Sequence, residues 1–168
     1  MIRHDSMRGW FAYELYQQMK KDKDIILIVG DLGYGVWNAV RDEMPDQFIN
    51  TGAAEQAMMG IAVGVALEGK KPFVYSITSF LIFRPFETIK LYIDEEKIPV
   101  RLIGSGRDKD YIHDGPSHDC TKVSDLFDHE HEFFNNIVDY WPMTKEEIPE
   151  LVERMVKSDK PQFISLKR

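Results

Sequence analysis

Cysteine, clustered basic residues and long apolar runs are all scarce in this sequence. Cys120 is the single cysteine among 168 residues, so no disulfide can form within the chain, and a reducing cytoplasm is the simplest location. The formal net charge is −7 without a long basic run, which disfavours nucleic acid and anionic membranes as partners. No apolar stretch approaches the roughly 20 residues that span a bilayer, and the N-terminus, MIRHDSMRGW, lacks the apolar core of a secretion signal. We therefore expect a globular, cytoplasmic protein.

The length and composition are those of one folded domain. Hydrophobic residues make up 43% of the chain and charged residues 29%, which is typical of folded rather than disordered proteins. We expect a single domain over residues 1–168.

Helical and strand patterns alternate along the chain. The run IILIVGDL at residues 25–32 is continuously aliphatic and bounded by glycine, as in a strand buried on both faces. The predicted helices cover residues 5–22, 35–44, 54–69, 84–97, a stretch from about Ser117, and 144–159. The predicted strands cover residues 25–32, 47–50, 71–77, 99–105, 135–141 and 162–168. This alternation predicts a three-layer α/β/α fold with a mostly parallel sheet of about six strands and helices on both faces.

The architecture indicates where a site would lie but not what it does. Sites in open α/β sheets lie at the carboxyl ends of strands. The segments at those ends are Asp31–Gly35, Thr51–Glu55, Ile77–Phe83 and Gly104–His118. Three of them are rich in glycine, acidic or aromatic residues, so we expect the functional residues there.

Glu55 begins a helix that is otherwise small and apolar. On position alone, its carboxylate either matches the positive end of the helix dipole or serves in catalysis. A capping box fits poorly because Thr51 is one place too early. Gly60 and Gly64 in the same helix allow close helix packing, within the chain or across a subunit interface.

Three motifs in order carry a family resemblance. They are GAAEQAMMGIAVGVALEGKKPF at 52–73, SITSFLIFR at 76–84 and DGPSH at 114–118. Together they resemble the pyrimidine-binding domain of the transketolase family of thiamine diphosphate enzymes, over residues 24–168. The resemblance implies thiamine diphosphate as cofactor.

The resemblance also implies roles for individual residues in cofactor binding. Glu55 matches the catalytic glutamate that contacts the pyrimidine N1′ and drives the tautomerisation by which the cofactor loses its C2 proton. Phe80 matches the phenylalanine that stacks on the pyrimidine, and Ile77 and Phe83 match neighbouring wall positions. For Ile77 and Phe83, ordinary core packing is an equal alternative.

Other matched residues face the substrate or the next subunit. Asp114 and His118 match an acid and a histidine at the substrate channel, where His118 can move a proton near neutral pH. Arg107 or Arg84 can bind a substrate phosphate or carboxylate, with a solvated surface arginine as the alternative. Asp31 matches an acid near the cofactor of the adjoining subunit, although a helix cap is an equal alternative.

The motifs that hold the diphosphate and Mg²⁺ in this family are missing from the sequence. Residues 30–32, Gly-Asp-Leu, lack the third residue of the family's Gly-Asp-Gly, and the Asn-Asn pair at 135–136 lies too far along the chain. The histidines of DHEHEF at 128–133 fit no defined metal-ligand spacing, and a solvated helix face is the simpler interpretation. We therefore expect this chain to be a stand-alone split subunit, with two copies of it and two of a partner that binds the diphosphate and Mg²⁺.

Three functions follow from the resemblance. The first is one half of a transketolase-like enzyme that transfers a two-carbon ketol unit between sugars or sugar phosphates. The second is a subunit of a 2-oxoacid dehydrogenase or decarboxylase, and the third is a non-catalytic scaffold. The presence of both Glu55 and Phe80 disfavours the scaffold.

Overall fold

The computed structural model describes residues 1–128 and 133–168, whose strands form one parallel sheet. The strands are β1 (Ile25–Val29), β2 (Phe48–Asn50), β3 (Lys71–Ile77), β4 (Arg101–Ser105), β5 (Val138–Tyr140) and β6 (Gln162–Leu166). The helices are α1 (Met7–Lys21), α2 (Asn38–Glu43), α3 (Glu55–Leu67), α4 (Thr78–Phe83), α5 (Phe86–Thr88) with a π-helix over Ile89–Glu95, and α6 (Ile148–Lys157). The strand order is β2-β1-β3-β4-β6-β5, and each adjacent pair is parallel. The predicted α/β fold is confirmed.

Helices cover both faces of the sheet because successive side chains of each buried strand point to opposite sides. In β1, Leu27 and Val29 pack with α1 and α6, whereas Ile28 packs with α3. The first core contains Phe11 of α1 and the second contains Met58 of α3, and both side chains are fully buried. Burying one aliphatic or aromatic side chain of this size contributes about 1.5–3 kcal/mol to the stability of the folded chain. The two cores, one on each face of the sheet, thus hold the three predicted layers together.

Local sequence signals fix several helix ends. The Ser6 hydroxyl accepts a hydrogen bond from the Gly9 amide (3.1 Å) at the start of α1. Thr144 and Glu147 form a capping box before α6. Gly69, the predicted cap of α3, has a φ of 79° and donates its amide to the Ala66 carbonyl. Each signal satisfies backbone groups that a helix end leaves without partners.

The helix predicted from about Ser117 is wrong. Instead, short 3₁₀ turns form at Pro116–His118 and Ser124–Leu126. Gly115, with a φ of 110°, precedes the first turn, and the Asp119 carboxylate accepts the Thr121 amide (2.9 Å) after it. Such local side-chain bonds compete with helical hydrogen bonding. Most of the segment 128–133 lies outside the described residues.

The helix predicted over residues 84–97 has an additional helix before it. The segment that follows β3, predicted as a wall of the cofactor site, folds as α4 and stops at Arg84 and Pro85. The chain then continues as α5 and the π-helix. Among the described residues, no helix is long and apolar enough to cross a membrane.

The strand order changes direction between β1 and β3. From β1 the chain crosses to β2 on one side, and then returns through α3 to β3 on the other. Crevices at such switch points, outside the carboxyl ends of the strands, are the usual ligand sites of this architecture. Glu55 begins α3 beside this point, and Ser76 lies near the end of β3.

Candidate functional site

Glu55 is buried at the first position of α3, with only 3% of its surface exposed. One carboxylate oxygen, Oε1, accepts the Ser76 hydroxyl at 3.2 Å, and the other, Oε2, accepts Arg84 Nη1 at 2.6 Å. The preceding residue is Ala54, which has no side-chain acceptor, so the capping box that the sequence disfavours does not form. The carboxylate is thus desolvated and held by one hydroxyl and one guanidinium.

Phe80 and Arg84 lie on the same side of α4 because they are four residues apart. The Arg84 guanidinium stacks on the Phe80 ring, with its central carbon 3.7 Å from the ring centroid. The same guanidinium forms the ion pair with Glu55. Arg84 therefore bridges the buried carboxylate and the aromatic face.

His118 lies against the Phe80 ring. Its ring centroid is 4.7 Å from that of Phe80, with an angle of 62° between the rings. The Ser79 hydroxyl donates to the Ser117 carbonyl (2.7 Å), which ties α4 to the turn that carries His118. The structure thus brings together Glu55, Phe80 and His118.

Two residues of this group were not predicted from the sequence. Ser76 binds Glu55, and a Cβ built on Gly30 would lie 3.6 Å from Glu55 Oε1 and 3.5 Å from Ser76 Oγ. Gly30 directly follows β1 and lies beside the Glu55 carboxylate. Because glycine has no side chain, the space next to the carboxylate stays open. The available signal is that Gly30 and Ser76 lie near the ends of two predicted strands, which the structure shows to be neighbours.

Asp31 lies at the carboxyl end of β1, outside the contacts just described. It has a φ of 55°, and its carboxylate accepts the Tyr34 hydroxyl at 2.5 Å. This hydrogen bond raises the pKa of Tyr34, because the phenolate would face the Asp31 charge. Helix α2 begins only at Asn38, so the carboxylate's hydrogen bond to a side chain does not support the helix-cap alternative.

Ile77, Phe83 and Asp114 belong to the same two segments as Phe80 and His118 and are buried to different degrees. Ile77 ends β3 and is half-buried, whereas the Phe83 ring is 45% exposed. Asp114 is exposed on a 3₁₀ turn, and its carboxylate lies 3.4 Å from His113 Nε2. The structure thus leaves Phe83 and Asp114 exposed and Ile77 partly covered.

Arg107 is buried beneath the end of β4. Its guanidinium donates to the Pro142 carbonyl (3.1 Å), to the Ser165 hydroxyl (3.2 Å) and to the Ser165 carbonyl. These bonds tie the loop after β4 to β6. A substrate phosphate would have to displace them, so this placement corresponds to a structural role rather than to the predicted contact with substrate.

The described residues contain no group of three or more His, Cys, Asp or Glu side chains arranged to hold a metal ion.

A cavity of about 530 Å³ lies at the amino ends of β5 and β6, lined in part by Lys97, Asp139 and Lys160. It opens at the opposite edge of the sheet from Glu55.

The Glu55 group has the chemistry of a site for a flat, nitrogen-containing ring. A buried carboxylate can exchange a proton with a ring nitrogen, and Phe80 offers an aromatic face beside it. In this structure the planar guanidinium of Arg84 makes both contacts, with the carboxylate and with the ring.

Known proteins resemble this chain in sequence and in fold. The family model for the transketolase pyrimidine-binding domain matches residues 5–168. A putative transketolase C-terminal section of Methanocaldococcus jannaschii is 30% identical over 116 residues, which cover 68% of this chain and 37% of that protein. A subunit of the apulose-4-phosphate transketolase of Phocaeicola vulgatus is 33% identical over 58% of this chain and 31% of its own length. The aligned regions thus span about a third of these curated relatives.

A solved structure described as a split gene transketolase, inactive beta4 tetramer, has the same fold. It superposes with a TM-score of 0.83 at 23% identity, over 97% of this chain and 51% of that one. With the family match over nearly the whole sequence, this chain belongs to the transketolase pyrimidine-binding domain family, whose members take part in thiamine diphosphate enzymes.

Proposed function

We propose that this chain is the pyrimidine-binding subunit of a split, heteromeric, thiamine diphosphate-dependent enzyme that transfers a two-carbon ketol unit between sugars or sugar phosphates. The observation that carries the proposal is the buried Glu55 carboxylate, which faces a planar cation stacked on Phe80. The relative named as a subunit of an apulose-4-phosphate transketolase supports the ketol-transfer chemistry.

The residues present fit the pyrimidine end of the cofactor. Arg84 occupies the position proposed for the aminopyrimidine ring; both groups are flat, and the ring presents an N–H donor to Glu55 once its N1′ is protonated. With the ring on Phe80, Glu55 would hold or release a proton at the N1′ nitrogen. The Ser76 hydroxyl would orient the other carboxylate oxygen of Glu55, Oε1. The bound cofactor supplies the electron sink for cleavage of a carbon–carbon bond.

Residues around this pair would shape the rest of the half-site. His118, which lies against the Phe80 ring, would move a proton at the substrate, and the exposed Asp114 lies four residues before it in the same loop. Ile77 and Phe83 would border the pyrimidine. Asp31, exposed at the end of β1, would face the cofactor of an adjoining subunit.

The diphosphate and Mg²⁺ would be held by a second polypeptide, with two copies of each chain in the assembly. The exposed face of α3 supports an interface, since Ile61 and Leu67 point outward there beside Gly60 and Gly64. This chain can also self-associate without its partner; the structural neighbour described as an inactive beta4 tetramer is a precedent in another protein.

Replacing the carboxylate of Glu55 tests this function directly. Glu55→Gln retains the shape of the side chain but removes the acid, so the rate of C2-proton exchange on thiamine diphosphate in the reconstituted complex should fall by about 10²–10⁴-fold. Proton NMR in D₂O measures that rate, and gel filtration checks that the assembly is intact. The matched control is Glu87→Gln, an exposed glutamate in the first turn of α5. Wild-type exchange in Glu55→Gln would remove the catalytic assignment.

A further inference from the structure

The Arg84 side chain lies where the proposed function requires the pyrimidine ring. Its guanidinium contacts Glu55 Oε2 at 2.6 Å and stacks on Phe80 at 3.7 Å. These are the two contacts that the proposed function assigns to the aminopyrimidine. One Glu55 oxygen and one face of one ring cannot hold both groups at once.

Burial of Glu55 explains why the guanidinium takes this position. The Glu55 side chain is 2% exposed, and a carboxylate so desolvated needs a partner charge. Ser76 supplies a neutral hydroxyl only, and Lys90, on the following π-helix, is paired with Asp94 and Glu95. Arg84 is therefore the cation that compensates Glu55.

Arg84, the other partner of the ion pair, can leave its position more readily than Glu55. The Arg84 side chain is 44% exposed and stands at the end of α4, immediately before Pro85. Its guanidinium can rotate into solvent without passing through either core. Glu55, fixed in α3 and bonded to Ser76, has no comparable freedom.

We propose that Arg84 is a displaceable latch, which closes the pyrimidine site of the isolated subunit and is expelled when the cofactor binds. The inference rests on the proposed function, since it assigns the same site to the pyrimidine. In the closed state the latch keeps Glu55 paired. A ligand can bind only the fraction of molecules in which Arg84 has swung out, so its apparent affinity falls by that fraction.

The isolated full-length chain and a small probe test the latch without catalysis. The probe is 4-amino-5-hydroxymethyl-2-methylpyrimidine, the ring half of the cofactor without its diphosphate. The ring current of Phe80 should shift the Arg84 Nε–Hε and Cδ proton resonances of the free chain. Saturation with the probe should abolish that shift. Arg84→Ala should bind the probe about tenfold more tightly than wild type, as expected if roughly one molecule in ten is open.

Two further variants serve as controls: one separates the charge of Arg84 from its stacking, and the other removes an arginine far from the site in sequence. Arg84→Lys keeps a positive charge for Glu55 but loses the planar stack, so it should fold and bind with intermediate affinity. Arg154→Ala, which removes an exposed arginine paired with Glu150 on α6, should leave probe affinity unchanged. The wild-type resonance shift itself requires no variant.

The outcomes separate the latch from the function on which it rests. If the probe binds wild type through Glu55 and Phe80 while the Arg84 resonances stay unchanged, the latch is wrong and the pyrimidine site stands. Weaker probe binding by Arg84→Ala would likewise overturn the latch, because Arg84 would then help to hold the ring. If neither wild type nor any Arg84 variant binds the probe, alone or in the complex with the partner, the pyrimidine site itself is wrong.

Discussion

Glu55 is a buried glutamate whose carboxylate is held by side chains from two other elements. In solvent, a carboxylate at a helix N-terminus is a common stabilising feature. Here it is enclosed beside Gly30 and Ser76, and its two oxygens have different partners. One partner is fixed in β3, whereas the other, Arg84, belongs to an exposed side chain. If Arg84 is displaced as proposed, Oε2 is the oxygen that a ligand would contact.

Phe80 and Phe83 are two phenylalanines of the same helix with different surroundings, so substitutions at them can be compared directly. Both belong to α4, but Phe80 carries the stacked guanidinium and contacts His118, whereas Phe83 is 45% exposed. We predict that Phe80→Leu weakens cofactor binding in the assembled enzyme by about 0.5–1.5 kcal/mol, or roughly two- to tenfold, and that Phe83→Leu has a smaller effect. Calorimetric titration of the two variants with thiamine diphosphate measures this. An equal or larger effect at Phe83 would mean that the stacking position is misassigned.

The sequence predicted this site in part. Glu55 and Phe80 lie in contiguous motifs, so their identity could be inferred without a structure. The contact between Arg84 and Glu55 could not, because it depends on α4, which begins at Thr78 directly after β3. The helix begins at the residue directly after the strand, so no loop between them marks the boundary in the sequence. The false helix near Ser117 has the opposite cause, since local turns formed by Gly115 and Asp119 replaced a regular element.

At the scale of elements, α3 has two faces with different roles. Its inner face carries Met58 and Met59, both fully buried. On its outer face, a Cβ built on Gly60 or on Gly64 meets no described atom within 4 Å. Glycine is unfavourable inside a helix, so its use there is best explained by a surface that another chain approaches closely.

A substitution at Gly64 tests that explanation. Gly64→Ala should stabilise the isolated chain by about 0.5–1 kcal/mol, because alanine favours the helix and has free space there. The same methyl group should weaken assembly with another chain. Urea denaturation measures the first effect and analytical ultracentrifugation the second. Unchanged assembly would exclude this face of α3 from the interface.

Gly104→Ala is the matched glycine control for the same measurements. Its added Cβ would overlap the Thr78 hydroxyl, which donates to the Gly106 carbonyl, so α4 would have to move away from β4. We expect a loss of about 1–3 kcal/mol of stability, typical of overpacking. A stability equal to that of Gly64→Ala would contradict the described contact between α4 and β4.

At the scale of the whole molecule, the topology gathers one half of a site. The switch between β1 and β3 brings together Gly30, Glu55 and Ser76, and α4 adds Phe80 to them. The described contacts provide a carboxylate and an aromatic face for a ring. Arg107, one of the two arginines proposed from sequence as an anion ligand, is instead bonded to backbone and hydroxyl groups of the loop and β6. This placement of Arg107 agrees with the proposal that a partner binds the anionic end of the cofactor.

Binding of thiamine diphosphate to the purified chain, with and without that partner, tests whether this chain supplies half of a shared site. Isothermal titration in the presence of Mg²⁺ would compare the chain alone with its complex with the diphosphate-binding polypeptide. We predict saturable, tight binding by the complex and none of comparable affinity by the chain alone. Binding by the isolated chain as tight as that of the complex would contradict the assignment of this chain as half of a shared site.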